Sequence, residues 1–160
     1  MNTIRLITEK DFESISKLIK SENELFFVYP SGKFPLTVSQ VKKLYKDRKD
    51  FTALIEKDKI IGFANFYDFL ENEFVFIGNV FIDTKQRDKG KGRKLVTHLI
   101  SQARDKYNLK EVRISVFADN ENALFLYIDM GFELYARELK KSPKGENIVL
   151  FHMKIVFSHR

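Results

Sequence analysis

Residues 73 to 116 constrain the fold more than any other stretch of this chain. Glu73 to Asp83 reads as a strand, interrupted by Gly78. The basic turn Gln86-Arg87-Asp88-Lys89-Gly90-Lys91-Gly92-Arg93-Lys94 follows it. Leu95, Val96, Leu99, Ile100 and Ala103 then recur at helical spacing in a segment that runs to about Tyr107. Val112, Ile114 and Val116 alternate along a further strand. A strand, a crossover helix and a second strand imply a parallel pair with a right-handed connection, hence an α/β fold.

The remaining elements can be placed around this unit. Thr3 to Ile7 reads as a first strand. Thr8 caps a helix with Glu9 and Asp11 in its first turn and Phe12, Ile15, Leu18 and Ile19 on its apolar face. Asn23 to Pro35, with two prolines and four aromatics, lacks clear periodicity and is expected to be a long functional loop. Thr37 or Ser39 opens a short helix that ends near Lys46. Phe51–Glu56 and Ile60–Phe69 make a hairpin around Lys57-Asp58-Lys59. Asn120 to Met130 is a short helix that Gly131 ends, and Phe132–Arg137 and Ile148–Val156 are the last strands. No repeat or linker divides the chain, and 160 residues suit one domain, 1–160.

Composition narrows the function classes. A hydrophobic content of 44% with sixteen Phe argues against disorder. No apolar run reaches spanning length, and Met1-Asn2-Thr3 lacks the form of a signal peptide, so a cytoplasmic protein without membrane contact is expected. The absence of cysteine excludes disulfides, thiolate metal sites and a cysteine nucleophile. His98, His152 and His159 are scattered without ligand spacing, so no metal is expected. The net charge of +6 raises a nucleic-acid hypothesis. Acidic residues run through the whole chain, however, and the basic excess is densest at the glycine turn and around Lys140, Lys141 and Lys144. That distribution suits a small polyanion better than a nucleic acid, whose binding would also need aromatics among the basic residues.

The glycine turn supplies the chemistry for such a ligand. Gly90 and Gly92 remove side chains where backbone N–H groups could close around phosphate, and a helix N-terminus follows. Lys85, Arg87, Lys89, Lys91, Arg93 and Lys94 crowd the turn, offset by Asp83 and Asp88. A flexible helix entry on a basic surface is the plainer alternative.

Thirty residues further on stands Asn120-Glu121-Asn122-Ala123-Leu124-Phe125-Leu126-Tyr127-Ile128-Asp129-Met130-Gly131-Phe132. Together with Arg87-x-x-Gly90-x-Gly92, this resembles the GNAT superfamily of acetyl-coenzyme A-dependent N-acetyltransferases, and the element order agrees along essentially the whole chain. The loop Glu24-Leu25-Phe26…Tyr29-Pro30, Gly62-Phe63-Ala64-Asn65-Phe66-Tyr67 and Gly78-Asn79 resemble a small bacterial subgroup that includes a C-terminal-lysine peptide acetyltransferase. The resemblance implies a central mixed, mostly antiparallel sheet of six to seven strands with a splayed parallel pair, flanked by about four helices.

It also implies site roles. Acetyl-CoA is the co-substrate and a primary amine the acceptor, either a peptide or protein lysine or a small amine. Main-chain donors from Arg87, Asp88, Lys89, Gly90, Lys91, Gly92 and Arg93 would wrap the diphosphate. Asp88 departs from the family's usual glycine, so its carboxylate must point away. Val80, Phe81 and Ile82 would pair with the pantetheine arm, with Gly78 as the cause of local distortion, and Asn120 would hydrogen-bond the arm or simply cap its helix. Tyr127 stands beside the sulfur as general acid on the thiolate, acting mostly as a hydrogen-bond donor. Many relatives carry a Glu on the strand before the turn, and Ile77-Gly78-Asn79-Val80-Phe81 has none. Deprotonation is therefore expected through water held by Asn79, Ser115 or backbone carbonyls. The amine would attack the thioester directly, with a strand N–H such as that of Phe81 stabilising the oxyanion. Phe26, Phe27, Tyr29 and Phe34 would wall the acceptor site. A catalytically silent acyl-CoA-binding regulatory module is the alternative, and the chain is expected to be a monomer or homodimer.

Overall fold

The computed structural model describes residues 2 to 158, so His159 lies outside the described residues. The element order is β1 (Asn2–Leu6), a 3-10 turn (Glu9–Asp11), α1 (Phe12–Leu18), α2 (Glu22–Val28), α3 (Val38–Asp47), β2 (Lys49–Glu56), β3 (Lys59–Leu70) and β4 (Phe74–Ile82). A 3-10 turn (Thr84–Gln86), α4 (Lys91–Ser101), a π-helical turn (Gln102–Lys106), β5 (Glu111–Phe117), α5 (Glu121–Asp129), β6 (Glu133–Lys141) and β7 (Asn147–Val156) complete it. The hydrogen-bonded strand order is β1-β2-β3-β4-β5-β7-β6. The parallel pair expected from the crossover is β4 with β5, running from Phe74↔Glu111 to Ile77↔Ile114, and β5–β7 and β6–β7 are antiparallel. The chain forms two compact units, Met1–Tyr67 with Gly78–His98 and Asp68–Ile77 with Leu99–Arg160.

The first unit contains β1, β2, most of β3 and its own apolar core. Phe12 and Ile15 of α1, Leu25 of α2, Val41 and Leu44 of α3, and Phe63 of β3 are among the buried residues of that cluster. The helix after β1 begins as a 3-10 turn rather than an α-helix. There Asp11 accepts the Thr8 N–H at 2.8 Å and a two-pronged Arg5 contact at 2.8 and 3.0 Å.

The stretch expected to be a loop contains α2. Ser21 Oγ accepts the Glu24 N–H at 3.1 Å, while the Glu24 carboxylate accepts the Lys20 N–H at 3.2 Å. Ser21-x-x-Glu24 is thus a capping-box spacing, and it outweighs the helix-poor aromatics that follow. Tyr29 ends the helix with φ −145° and ψ 78°, outside the helical region that a following proline disfavours.

In the second unit Val75, Ile77, Val112, Ile114 and Met153 are fully or almost fully buried, at alternate positions of their strands. Strand β6 is exposed along its length and longer than expected, reaching Lys141. The helix after the glycine turn changes to π-helical hydrogen bonding at Gln102, and Tyr107 N–H donates to Gln102 O at 3.1 Å. Among the described residues no helix is long and apolar enough to cross a membrane.

The Arg5 guanidinium, with help from the Thr8 N–H, holds the mostly buried Asp11 carboxyl below the ordinary carboxylate value. A carboxyl lowered by folding stabilises the fold fully above its unfolded pKa. That stabilisation drains away as pH falls through the lowered folded value. Asp11→Ala should cost about 2 kcal/mol at pH 7, the worth of charge-assisted hydrogen bonds on a mostly buried acceptor. Urea unfolding of the two proteins should show the gap closing as the pH drops below about 4.

Candidate active site

In the first unit, strand β4 passes residues 78 to 82 into the basic turn. Gly78 is not the distorted residue. The left-handed conformation lies one residue on, at Asn79 with φ 49°. Gly78 is needed for close approach, because a Cβ there would meet the Tyr67 ring at 2.5 Å and Arg48 Nη1 at 2.7 Å. Asn is among the side chains that tolerate left-handed backbone, so the sequence allows the kink without a second glycine. Both amide atoms of the buried Asn79 are engaged. Its Oδ1 accepts from Asn65 Nδ2 at 2.9 Å, and its Nδ2 donates to Val28 O at 2.7 Å. Val28 is the last residue of α2, so Asn79 satisfies one of the carbonyls a helix end leaves unpaired. Asn65 is fully buried and gave no signal in the sequence beyond its place in the Gly62–Tyr67 run.

The turn contains two further left-handed residues, Asp88 with φ 63° and Gly90 with φ 76°. Aspartate adopts that conformation more readily than most residues, which explains how it stands where the family uses glycine. Left-handed residues close together turn successive N–H groups to one side and make an anion-binding concavity. Gly90 accepts the first helical hydrogen bond of α4, from Lys94 N–H at 3.1 Å, so Lys91, Gly92 and Arg93 form its amino-terminal turn. A Cβ built at Gly90 would meet nothing within 4 Å, so the space above the turn is open.

Several basic side chains of the turn have protein partners. Arg87 Nε donates to Ile82 O at 3.0 Å, its guanidinium carbon lies 5.3 Å from the Phe81 ring centre, and its Nη2 is 3.3 Å from Glu24 Oε2. Lys91 Nζ binds Glu56 at 2.7 Å and also contacts Gln86. Lys94 contacts the Asn2 side chain. In the main chain of the turn, the Arg87 N–H donates to Thr84 O at 3.4 Å. Glu24 also accepts from Thr84 Oγ1 at 2.7 Å. Burial pushes the Glu24 carboxyl up, but Thr84, the Lys20 N–H and the Arg87 charge outweigh it and hold the group below its ordinary value. Glu24 and Val28 sit one helical turn apart, so α2 is fastened to the end of β4 at two points.

Of the aromatics expected to wall an acceptor site, Phe26 and Phe27 belong to α2 and Tyr29 ends it. Phe26 and Phe27 are half-buried with ring centres 6.4 Å apart, Tyr29 packs against the core, and Phe34 is 40% exposed. Of the strand residues expected beside the pantetheine arm, Phe81 and Ile82 are buried and Val80 is half-buried.

In the second unit, Asn120 takes the N-cap position of α5. Its carbonyl accepts from Leu124 N–H at 3.0 Å, while its side chain makes no hydrogen bond to the helix it caps. Tyr127 is buried near the helix end, and burial alone pushes its phenol well above the ordinary value. Gly131, left-handed with φ 101°, gives the helix a Schellman ending. Its N–H donates to Ile128 O and the Phe132 N–H donates to Tyr127 O, each at 3.0 Å. The accompanying apolar contact of that motif is Phe132 on Tyr127, edge to face at 5.8 Å. The Gly-Phe pair therefore fixes the ring of the tyrosine five residues before it.

Ser115 stands on β5 immediately past the last parallel pair. Its hydroxyl is 2.7 Å from His152 Nδ1, and His152 Nε2 is 2.8 Å from Glu138 Oε1. His152 and Glu138 become neighbours of Ser115 only through the β5–β7–β6 pairing, which the sequence does not display. Among the described residues no group of three or more His, Asp or Glu could hold a metal ion.

Comparison with known proteins places this geometry. The chain is 29% identical over 136 residues to the spermine/spermidine N(1)-acetyltransferase of Bacillus subtilis, covering 81% of this chain and 86% of that one. The crystal structure of the ribosomal-protein-S18-alanine N-acetyltransferase of Escherichia coli superposes with a TM-score of 0.79 at 22% identity, covering 100% of this chain and 96% of that one. The spermidine N-acetyltransferase of Vibrio cholerae, solved with CoA and spermine, superposes with a TM-score of 0.81 at 18% identity over 97% of this chain and 95% of that one. Residues 13–132, including the glycine turn and the Asn120–Phe132 motif, match the acetyltransferase (GNAT) family, and the chain belongs to it.

Proposed function

We propose that this acetyltransferase moves an acetyl group from acetyl-CoA to a primary amine, with a polyamine as the leading acceptor class. The observation that carries the donor is the turn from 87 to 92. It has two left-handed residues, an open space above Gly90 and a helix amino terminus, in the sequence pattern of the family. Main-chain N–H groups of Asp88 through Arg93 hold the diphosphate, and the helix dipole adds to their pull. Val80, Phe81 and Ile82 pair with the pantetheine arm, and the Asn120 amide hydrogen-bonds it. The polyamine class is supported by the Bacillus subtilis relative. The side chain of a peptide lysine presents the same primary amine and is the second acceptor to test.

An alkyl ammonium near pKa 10.4 needs about 4.6 kcal/mol to be presented neutral at pH 7. The neutral amine attacks the thioester carbonyl directly, because the chain has no cysteine to carry the acetyl group. The thiolate leaves as the C–S bond breaks. Tyr127 donates a hydrogen bond to that thiolate and keeps its proton, since burial raises the phenol further above a thiol near 8.5. Its contribution is stabilisation of developing charge rather than proton transfer. Ser115 or water held near Asn79 takes the proton from nitrogen. Phe26, Phe27, Tyr29 and Phe34 border the acceptor.

Thiol release measured with acetyl-CoA and a panel of spermidine, spermine and lysine peptides tests this reading. Turnover on at least one amine is expected; saturable CoA binding without thiol release from any acceptor would mark a silent binding module instead. Tyr127→Phe should lower turnover by about tenfold or more with CoA affinity nearly unchanged. Equal rates would remove Tyr127 from the mechanism. Gly90→Val should raise KM for acetyl-CoA by about tenfold, the loss of roughly one charge-assisted hydrogen bond, because valine resists the left-handed backbone and fills the open space. An unchanged KM would place the diphosphate elsewhere.

A further inference from the structure

Nothing in the sequence links residues 24 and 87, yet one carboxylate joins helix α2 to the glycine turn inside the first compact unit. Glu24 Oε1 accepts the Lys20 N–H at 3.2 Å and so helps to cap its own helix. Glu24 Oε2 accepts from Thr84 Oγ1 at 2.7 Å and lies 3.3 Å from Arg87 Nη2. The chain between those two partners is closed on itself, with Gln86 N–H donating to Asp83 O at 2.7 Å and Arg87 N–H to Thr84 O at 3.4 Å. Arg87 Nε is tied back to Ile82 O at 3.0 Å. A single side chain thus holds the start of α2 and the entry to the turn together.

The other end of α2 is held more firmly. There Val28 O accepts from Nδ2 of the buried Asn79 at 2.7 Å, whereas the Arg87 side chain is 42% exposed and its ion pair correspondingly weak. Phe26 and Phe27, both half-buried, lie between the two attachments. A loosened Glu24 would let α2 tilt about Val28 and carry both rings with it. The carboxylate also bears on any anion held by the turn. Burial raises its pKa, yet Thr84, the Lys20 N–H and Arg87 together bring it below the ordinary value, so the group is charged at neutral pH. That charge is paired with Arg87, the residue immediately before the diphosphate donors Asp88 through Arg93, and it repels an anion bound there.

We propose that Glu24 is the positioning residue that sets α2 and its aromatic rings against the diphosphate turn, and that its charge weakens coenzyme A binding in doing so; this rests on the acetyltransferase reading above. The carboxylate touches no reacting atom. Its tether fixes where Phe26 and Phe27 border the amine, and its charge opposes the diphosphate of the donor. The two effects fall on different substrates with opposite sign. Removing Glu24 therefore improves the grip on coenzyme A and spoils the acceptor border. General damage to the fold would weaken both.

Calorimetry with coenzyme A, and thiol release with whichever amine the panel identifies, test this on wild type, Glu24→Gln and Glu24→Ala. Glutamine removes the charge and keeps an acceptor for Thr84; alanine removes the tether as well. Both variants should bind coenzyme A about threefold more tightly at low ionic strength, the effect of one unit charge near the diphosphate. The gain should vanish in about 0.5 M salt, where exposed charges are screened. KM for the amine should rise about tenfold in Glu24→Ala, the effect of a misplaced acceptor border, and less in Glu24→Gln. In backbone NMR, coenzyme A should shift the Phe26 and Phe27 N–H signals of wild type along with those of the turn, and only those of the turn in Glu24→Ala. Weaker or unchanged coenzyme A binding in both variants, or an unchanged amine KM in Glu24→Ala, would overturn the proposal while acetyl transfer stands. Wild type that neither binds coenzyme A nor releases thiol would overturn the acetyltransferase reading itself, and this role of Glu24 with it.

Discussion

A left-handed asparagine inside a strand is costly unless its surroundings hold it, and at Asn79 they do. The amide of Asn65 and the last carbonyl of α2 take both ends of its side chain, and both asparagines are buried. One turn earlier on α2, Glu24 reaches Thr84 and Arg87 beyond the end of β4. The strand is therefore bent at one point and gripped at two, and the basic turn starts from a fixed place. If Asn79 straightened, Val28 would lose its cap and the Glu24 contacts would shift with the helix. Gly62–Tyr67 and Gly78–Asn79, separate in the sequence, meet here: Tyr67 lies against Gly78, and Asn65 against Asn79.

The polar groups of the site are mostly spoken for. Arg87, Lys91 and Lys94 bind protein groups, so their charges are already engaged within the fold. Burial favours the protonated phenol of Tyr127, which suits the proposed role of hydrogen-bond donor better than that of proton donor. The two roles differ in what they demand. A hydrogen-bond donor needs fixed orientation, and the Schellman ending with Phe132 against the ring supplies it.

The crossover was legible because periodicity changes from two to helical and back across residues 73 to 116, and tertiary structure has little power to override so long a pattern. Tyr127, Asn120 and the glycine turn were legible as a motif at fixed spacing. Helix α2 was not, because its aromatics obscured the Ser21-x-x-Glu24 cap that was present in plain view. The distortion of β4 was placed at Gly78 when glycine was serving close approach and the neighbouring asparagine was bending. Glu138 and His152 could not have been found at all from the sequence. Their meeting with Ser115 depends on the register of three strands, including a shift between Leu134 and Ala136, and register is decided by the packed sheet rather than by local composition.

The claim that main-chain donors of Asp88 through Arg93 hold the diphosphate is tested most directly by a backbone amide NMR titration with coenzyme A, and with pantetheine as the control lacking phosphate. The account predicts that coenzyme A moves the N–H signals of Asp88 through Arg93 most strongly, and that pantetheine leaves those signals in place. Equal shifts with the two ligands, or coenzyme A shifts confined to other segments, would contradict it.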